Sequence, residues 1–216
     1  MEMTTKKTAL IIGASGLVGR ELLAQLLDDE RYEKVTVLVR KPLGIDHEKL
    51  DQQRYDFDWK NADLIQGDEL YCCLGTTIKT AGSAEAFRKV DYNYVVETAK
   101  IAVDNGISKI AVVSSMGANK NSPLLYPQTK GEMEAAVMDL EFDACFIMRP
   151  SLLLGVRPEL RMGELVGKLA MTAFSFAIPK KYKAIEGKQV AKAMIISLNS
   201  DRMGAHILES DVLADF

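Results

Sequence analysis

Short, mostly apolar runs alternate along this chain with stretches in which apolar residues recur three to four positions apart. The short runs fall at residues 8–12, 35–39, 69–74, 109–114, 144–148 and 205–208, and each predicts a strand buried on both faces. A weaker run at 54–57 predicts one more strand. Helical spacing covers residues 17–28, 83–105 and 125–140, and two shorter helical patterns follow near 163–177 and 187–199. Gly106 stands where the long second helix should stop, and Pro42 and Gly44 open the loop after the second strand. Strands without polar alternation, separated by helices, predict an α/β fold with a doubly wound parallel sheet and helices on both faces.

Composition narrows the class. With 216 residues, 48% of them apolar, the chain can bury a sizeable core and is expected to form one domain over 1–216. Residues 151–216 are too few for a second domain and are expected to fold back as the cover of a substrate pocket. A net charge of −3 leaves no basic footprint, so nucleic acid is not expected as a partner. No secretion signal is read at the N-terminus, and the longest apolar stretch, 169–178, is too short to span a bilayer as a helix. Cys72, Cys73 and Cys145 have neither disulfide nor zinc spacing, which predicts reduced core thiols in a cytoplasmic protein.

The candidate chemistry begins at the first strand. Gly13, Gly16 and Gly19 follow it at three-residue spacing, with Ser15, Leu17 and Val18 between them at a helix start. A dinucleotide pyrophosphate needs this order: a sharp turn, a backbone close enough to touch phosphate, and a helix N-terminus with free N–H groups. After the second strand comes Arg40, where an acidic residue would hold the ribose hydroxyls of NAD. An arginine there suits a 2′-phosphate and so predicts NADP(H), with Arg20 a weaker second candidate. Leu74, Gly75 and Thr76 end another strand, placing small residues and backbone N–H groups beside the cofactor. Further on, a strand runs into Ser114 and Ser115, and a helix opening at Pro127 would put Tyr126 and Lys130 on one face. An ammonium near a phenol favours the phenolate, making the tyrosine a usable general acid for a carbonyl, or a base in the reverse direction.

These motifs together resemble the short-chain dehydrogenase/reductase superfamily over nearly the full length. Gly13, Gly16 and Gly19 match its Gly-x-x-Gly-x-x-Gly form, and Tyr126 and Lys130 match its Tyr-x-x-x-Lys motif. Ser115 is the better match to the catalytic serine. Asn93 resembles the asparagine that kinks a helix and supports a proton-relay water, and Arg149-Pro150-Ser151 resembles the stretch that passes the nicotinamide. Cys72 to Thr77, Ser114 to Ala118 and Tyr126 to Glu134 are similar to the Tat-interacting-protein oxidoreductases of the atypical branch. The resemblance implies a Rossmann-like sheet, NADP(H), and a catalytic set of Asn93, Ser115, Tyr126 and Lys130 that reduces a carbonyl of a small apolar substrate. Pro150 joins the cofactor-binding residues on the same ground. Two alternatives stay open: an isomerase like the nucleotide-sugar epimerases, and a non-catalytic NADPH-binding regulator acting through a protein partner. Monomer and homodimer are both compatible with the sequence.

Overall fold

Successive residues of a strand point to opposite faces, and this chain fills both faces with apolar side chains. In β1 (Lys7–Ile12), Ala9 and Ile11 join one core while Leu10 and Ile12 join the other. The computed structural model, which describes residues 6–154 and 179–216, repeats this division across the sheet. The first core is closed by α1 (Leu17–Asp28) and by the Gly187–Leu198 helix, the second by α4 (Tyr94–Asp104) and α5 (Leu125–Met138).

The remaining main strands are β2 (Tyr32–Val39), β3 (Leu50–Arg54), β4 (Glu69–Cys72), β5 (Lys109–Val113) and β6 (Ala144–Arg149). A two-residue pair follows, β7 (Leu153–Leu154) and β8 (Ile185–Glu186), and then β9 (Gly204–Glu209). Seven strands form one sheet in the order β3-β2-β1-β4-β5-β6-β9, every neighbouring pair parallel. This is the Rossmann-like, doubly wound arrangement, with the strand order reversing between β1 and β4. In such sheets ligands bind at that switch point, beyond the carboxyl ends of the strands.

Two elements differ from the sequence expectation. The strand expected at 54–57 ends at Arg54, because β3 is the polar edge segment Leu50–Arg54. The aromatics that suggested a strand lie just past it: Tyr55 is buried in the second core, and Phe57 stacks on Tyr94 with ring centroids 3.9 Å apart. Phe57 has a φ of 63°, which turns the chain out of the extended path. The helix expected over 83–105 is split into α3 (Ala84–Arg88), a π-helical turn at Lys89–Asn93, and α4. A short helix, α2 (Ile78–Ala81), precedes it. The helical pattern near 163–177, the apolar stretch 169–178 and part of the expected pocket cover lie outside the described residues.

Candidate functional site

The turn after β1 is fixed by two contacts that only glycine permits. Gly13 has a φ of +82°, and a Cβ there would lie 2.5 Å from the carbonyl carbon of Cys73. A Cβ on Gly19 would lie 2.2 Å from the Gly13 oxygen. The first contact presses the turn against the end of β4, and the second presses α1 against the turn. The Gly16 N–H donates to the Gly13 oxygen at 3.1 Å. No side chain caps α1, so its first turn offers backbone N–H groups and a partial positive charge.

Beyond this turn lies a cleft of about 350 Å³. Ser15, Gly16, Leu17 and Val18 form one wall, and Cys73, Leu74, Gly75 and Thr76 form the next. Asp91, Ser114, Tyr126, Lys130 and Leu153 also face it. Tyr126 and Lys130 stand one turn apart on α5, and the Tyr126 ring stacks on Phe87 with centroids 5.4 Å apart. Lys130 is only 3% exposed, and its Nζ lies 2.8 Å from Asp91 Oδ1. Burial pulls the Lys130 pKa down, but the charges of Asp91 and Tyr126 outweigh it, so the net shift is upward and the side chain is an ammonium.

The two serines differ in what their protons do. Ser114 is buried and donates to Glu134 Oε1 at 2.5 Å, while Arg149 grips the same carboxylate, with Nη2 2.6 Å from Oε2. Ser115 is half-buried, and its hydroxyl donates to the Met116 oxygen at 3.3 Å. Ser114 is the serine that lines the cleft. Ser115 begins the loop that leads back to α5. There Gly131 lets the loop lie against the helix: a Cβ would sit 2.1 Å from the Lys120 nitrogen.

Asn93 is placed differently from expectation. It is exposed and does not line the cleft, whereas Asp91, two residues earlier in the π-helical turn, is fully buried in the site. The turn carries residue 91 inward and residue 93 outward. Arg40 is exposed just past β2 and has no hydrogen bond or ion pair with any described residue. Pro150 is buried behind the wall, its oxygen accepting from the Met116 N–H at 3.0 Å. Cys72 and Cys73 point to opposite faces as expected, each a free thiol whose pKa burial pushes up, Cys72 to about 12. The sequence reading gives no individual role to Asp91, Glu134 or Arg149. Asp91 had a signal: it falls four residues after Phe87 and four before Val95, an acid on an otherwise apolar stripe.

Comparison with known proteins follows the same residues. Residues 13–153 match the model of the NAD(P)H-binding family. The chain belongs to this family. Protein HTATIP2 of Rattus norvegicus is 36% identical over 204 residues, which span 92% of this chain and 84% of that protein. The mitochondrial protein FMP52 of Candida albicans is 36% identical over 160 residues, 70% of this chain and 69% of that protein. Among solved structures, MoeE5 in complex with UDP-glucose and NAD has a TM-score of 0.72 at 16% identity, over 93% of this chain and 75% of that one. ADP-L-glycero-D-manno-heptose-6-epimerase of Helicobacter pylori has a TM-score of 0.72 at 18% identity, over 96% of this chain and 78% of that one. Both share the fold of this family member. The site fits the family's ligand: a glycine turn that a Cβ would fill, an uncapped helix start, and a cleft open to both. Among the described residues no helix is long and apolar enough to cross a membrane.

Proposed function

We propose that this protein is an NADPH-dependent oxidoreductase of the atypical short-chain dehydrogenase/reductase branch, reducing the carbonyl of a small, apolar substrate. The observation that carries this reading is the pair of Tyr126 and Lys130 on one wall of the cleft that starts at the glycine turn, with Lys130 buried as an ammonium. The Gly13–Gly19 turn would hold the pyrophosphate, Arg40 the 2′-phosphate, and Leu74 to Thr76 the inner ribose, with Pro150 behind the nicotinamide. When bound, the reduced dinucleotide supplies hydride to the carbonyl carbon.

The protein's own part is proton handling and orientation. Tyr126 Oη gives a proton to the carbonyl oxygen, and the Lys130 ammonium favours the phenolate left behind. A carbonyl oxygen also needs a second donor. The Ser114 proton is committed to Glu134, whereas the Ser115 hydroxyl has only a long bond to its neighbour's carbonyl among the described residues. In this reading Ser115 is the orienting serine, one residue beyond Ser114, which lines the cleft. Asn93 has no part in this scheme, since it faces away from the cleft. Val113 and Leu153 add apolar walls to the cleft. Free cysteines fit a reducing compartment such as the cytoplasm, although the FMP52 relatives are mitochondrial by name.

Titration of the protein with NADPH and NADH, followed by nicotinamide fluorescence, tests the reading. NADPH should bind more tightly, and Arg40→Ala should weaken NADPH by about tenfold or more with little change for NADH. Binding of neither nucleotide would overturn the proposal.

A further inference from the structure

The strongest unassigned feature of the site is the fully buried carboxylate of Asp91. It bridges two elements that are far apart in sequence. Its Oδ1 lies 2.8 Å from Lys130 Nζ on α5, and its Oδ2 accepts the Thr76 N–H at 2.8 Å from the segment after β4. Gly75 lies over the pair: a Cβ there would stand 3.5 Å from Asp91 Oδ1 and 3.7 Å from Lys130 Nζ. Both Asp91 and Lys130 line the cleft.

A buried ion pair is a poor way to hold a fold together. The desolvation of two charges roughly cancels their attraction, and apolar residues of similar volume would serve as well. The placement of this pair explains it better than stability does. We propose that Asp91 is a positioning residue of the site: it holds the Lys130 ammonium against the cleft and fixes the Gly75-Thr76 backbone that passes over it. The inference rests on the reading of the cleft as an NADPH site.

The charged and titratable groups around Lys130 are few. Asp91 faces it from the π-helical turn, Tyr126 from its own helix, and Cys72 from β4. Burial drives the Cys72 thiol up to about 12, which leaves it neutral. Asp91 is the carboxylate in contact with the ammonium. Without it, the largest charge opposing burial is gone, and burial favours the neutral amine.

The test uses the full chain labelled with ¹⁵N-lysine. The side-chain ammonium signal of Lys130, assigned by its loss in Lys130→Arg, is followed against pH without cofactor. In the unaltered protein it should persist beyond pH 10. In Asp91→Asn its midpoint should fall by about two pH units or more, while Asp91→Glu, which keeps the charge, should restore it. The same variants are then titrated with NADPH between pH 6 and pH 9. Affinity should be level for the unaltered protein, and should weaken as pH rises for Asp91→Asn. Asp91→Glu should bind NADPH more weakly at every pH, because its longer side chain displaces the ammonium and the Thr76 loop. An unchanged Lys130 midpoint in Asp91→Asn would overturn the charge role. Unchanged NADPH affinity in Asp91→Glu would overturn the positioning role, and this second variant decides the matter if Asp91→Asn fails to fold. Absence of NADPH binding by the unaltered protein would instead remove the functional reading, with the lysine titration still deciding what Asp91 does to Lys130.

Discussion

The two ends of the sheet each bury a carboxylate with a lysine, and they use it differently. At the amino ends of the strands, Glu69 is 1% exposed and fully engaged. Its Oε1 accepts from Lys7 at 2.7 Å, and its Oε2 accepts from the hydroxyls of Tyr32 and Tyr71 at 2.5 and 2.8 Å. Asn199 closes the ring, donating to the Tyr32 oxygen at 2.6 Å and accepting from Lys7 at 2.9 Å. Burial, with Glu69 alongside, pushes both tyrosines up, so they stay protonated as donors. At the carboxyl ends, Asp91 accepts the Thr76 N–H and pairs with Lys130, but its lysine faces a cleft, and Tyr126 beside it has no hydrogen bond with any described residue. A buried ionic cluster is therefore not a site in itself. What distinguishes the site is hydrogen-bonding capacity left over at a concave surface.

Variants at the two ends should separate stability from chemistry. The largest effect is expected from Tyr126→Phe. Once an NADPH-reducible carbonyl is found by screening, this change should cut turnover by about a hundredfold or more while leaving the melting curve and NADPH affinity almost untouched. Persisting turnover would remove Tyr126 as the acid. At the other end, Glu69→Ala should cost about 3–5 kcal/mol in urea unfolding, because it strands a lysine and two buried hydroxyls. Its NADPH affinity should be unchanged wherever the variant is folded, and a changed affinity would break the division between the ends. The smallest effect concerns alkaline pH. Burial raises Cys72 and Cys145 from the ordinary 9.0 to about 12 in the fold, and Lys130 also stands above its ordinary value. The fold holds these protons more tightly than the unfolded chain does. Stability should thus be complete below the ordinary thiol value and decline above it, by about 1 kcal/mol per thiol between pH 9 and pH 10. Urea midpoints across that interval check the decline, and Cys145→Val should flatten it.

The parts of this molecule that were legible in its sequence are those set by local pattern. Five of the six apolar strands announce themselves because a strand buried on both faces has to be apolar at nearly every position, as in β1 and β6, whereas the edge strand β9 is apolar with Ile207 exposed. The edge strand β3 escapes that rule: its sequence Leu-Asp-Gln-Gln-Arg lies against one neighbour only. The glycine turn and the Tyr126 and Lys130 spacing are local geometry too, and the structure brings them to one cleft. Asp91 and Glu134 are different, because their roles come from partners 39 and 15 positions away, Lys130 and Arg149. The reading of Asn93 rests on a family motif, and its exposed position outside the cleft goes with the π-helical turn that ends there. Helical spacing across 83–105 assumes an unbroken helix, and the π-helical turn moves every later side chain relative to the earlier ones.

That wide turn has a consequence for how the gene can change. Phe87 before it, Asp91 within it, and Val95 and Ala99 beyond it are all buried. They share one inward direction across the turn, at a spacing of four residues. Losing one residue from Lys89–Asn93 would restore a regular helix and swing one half against the other by about 100°. Either the core or the carboxylate beneath the cleft would then be lost. Substitutions in this stretch are a matter of degree, but a one-codon deletion is all-or-none: the length of the segment is part of its function.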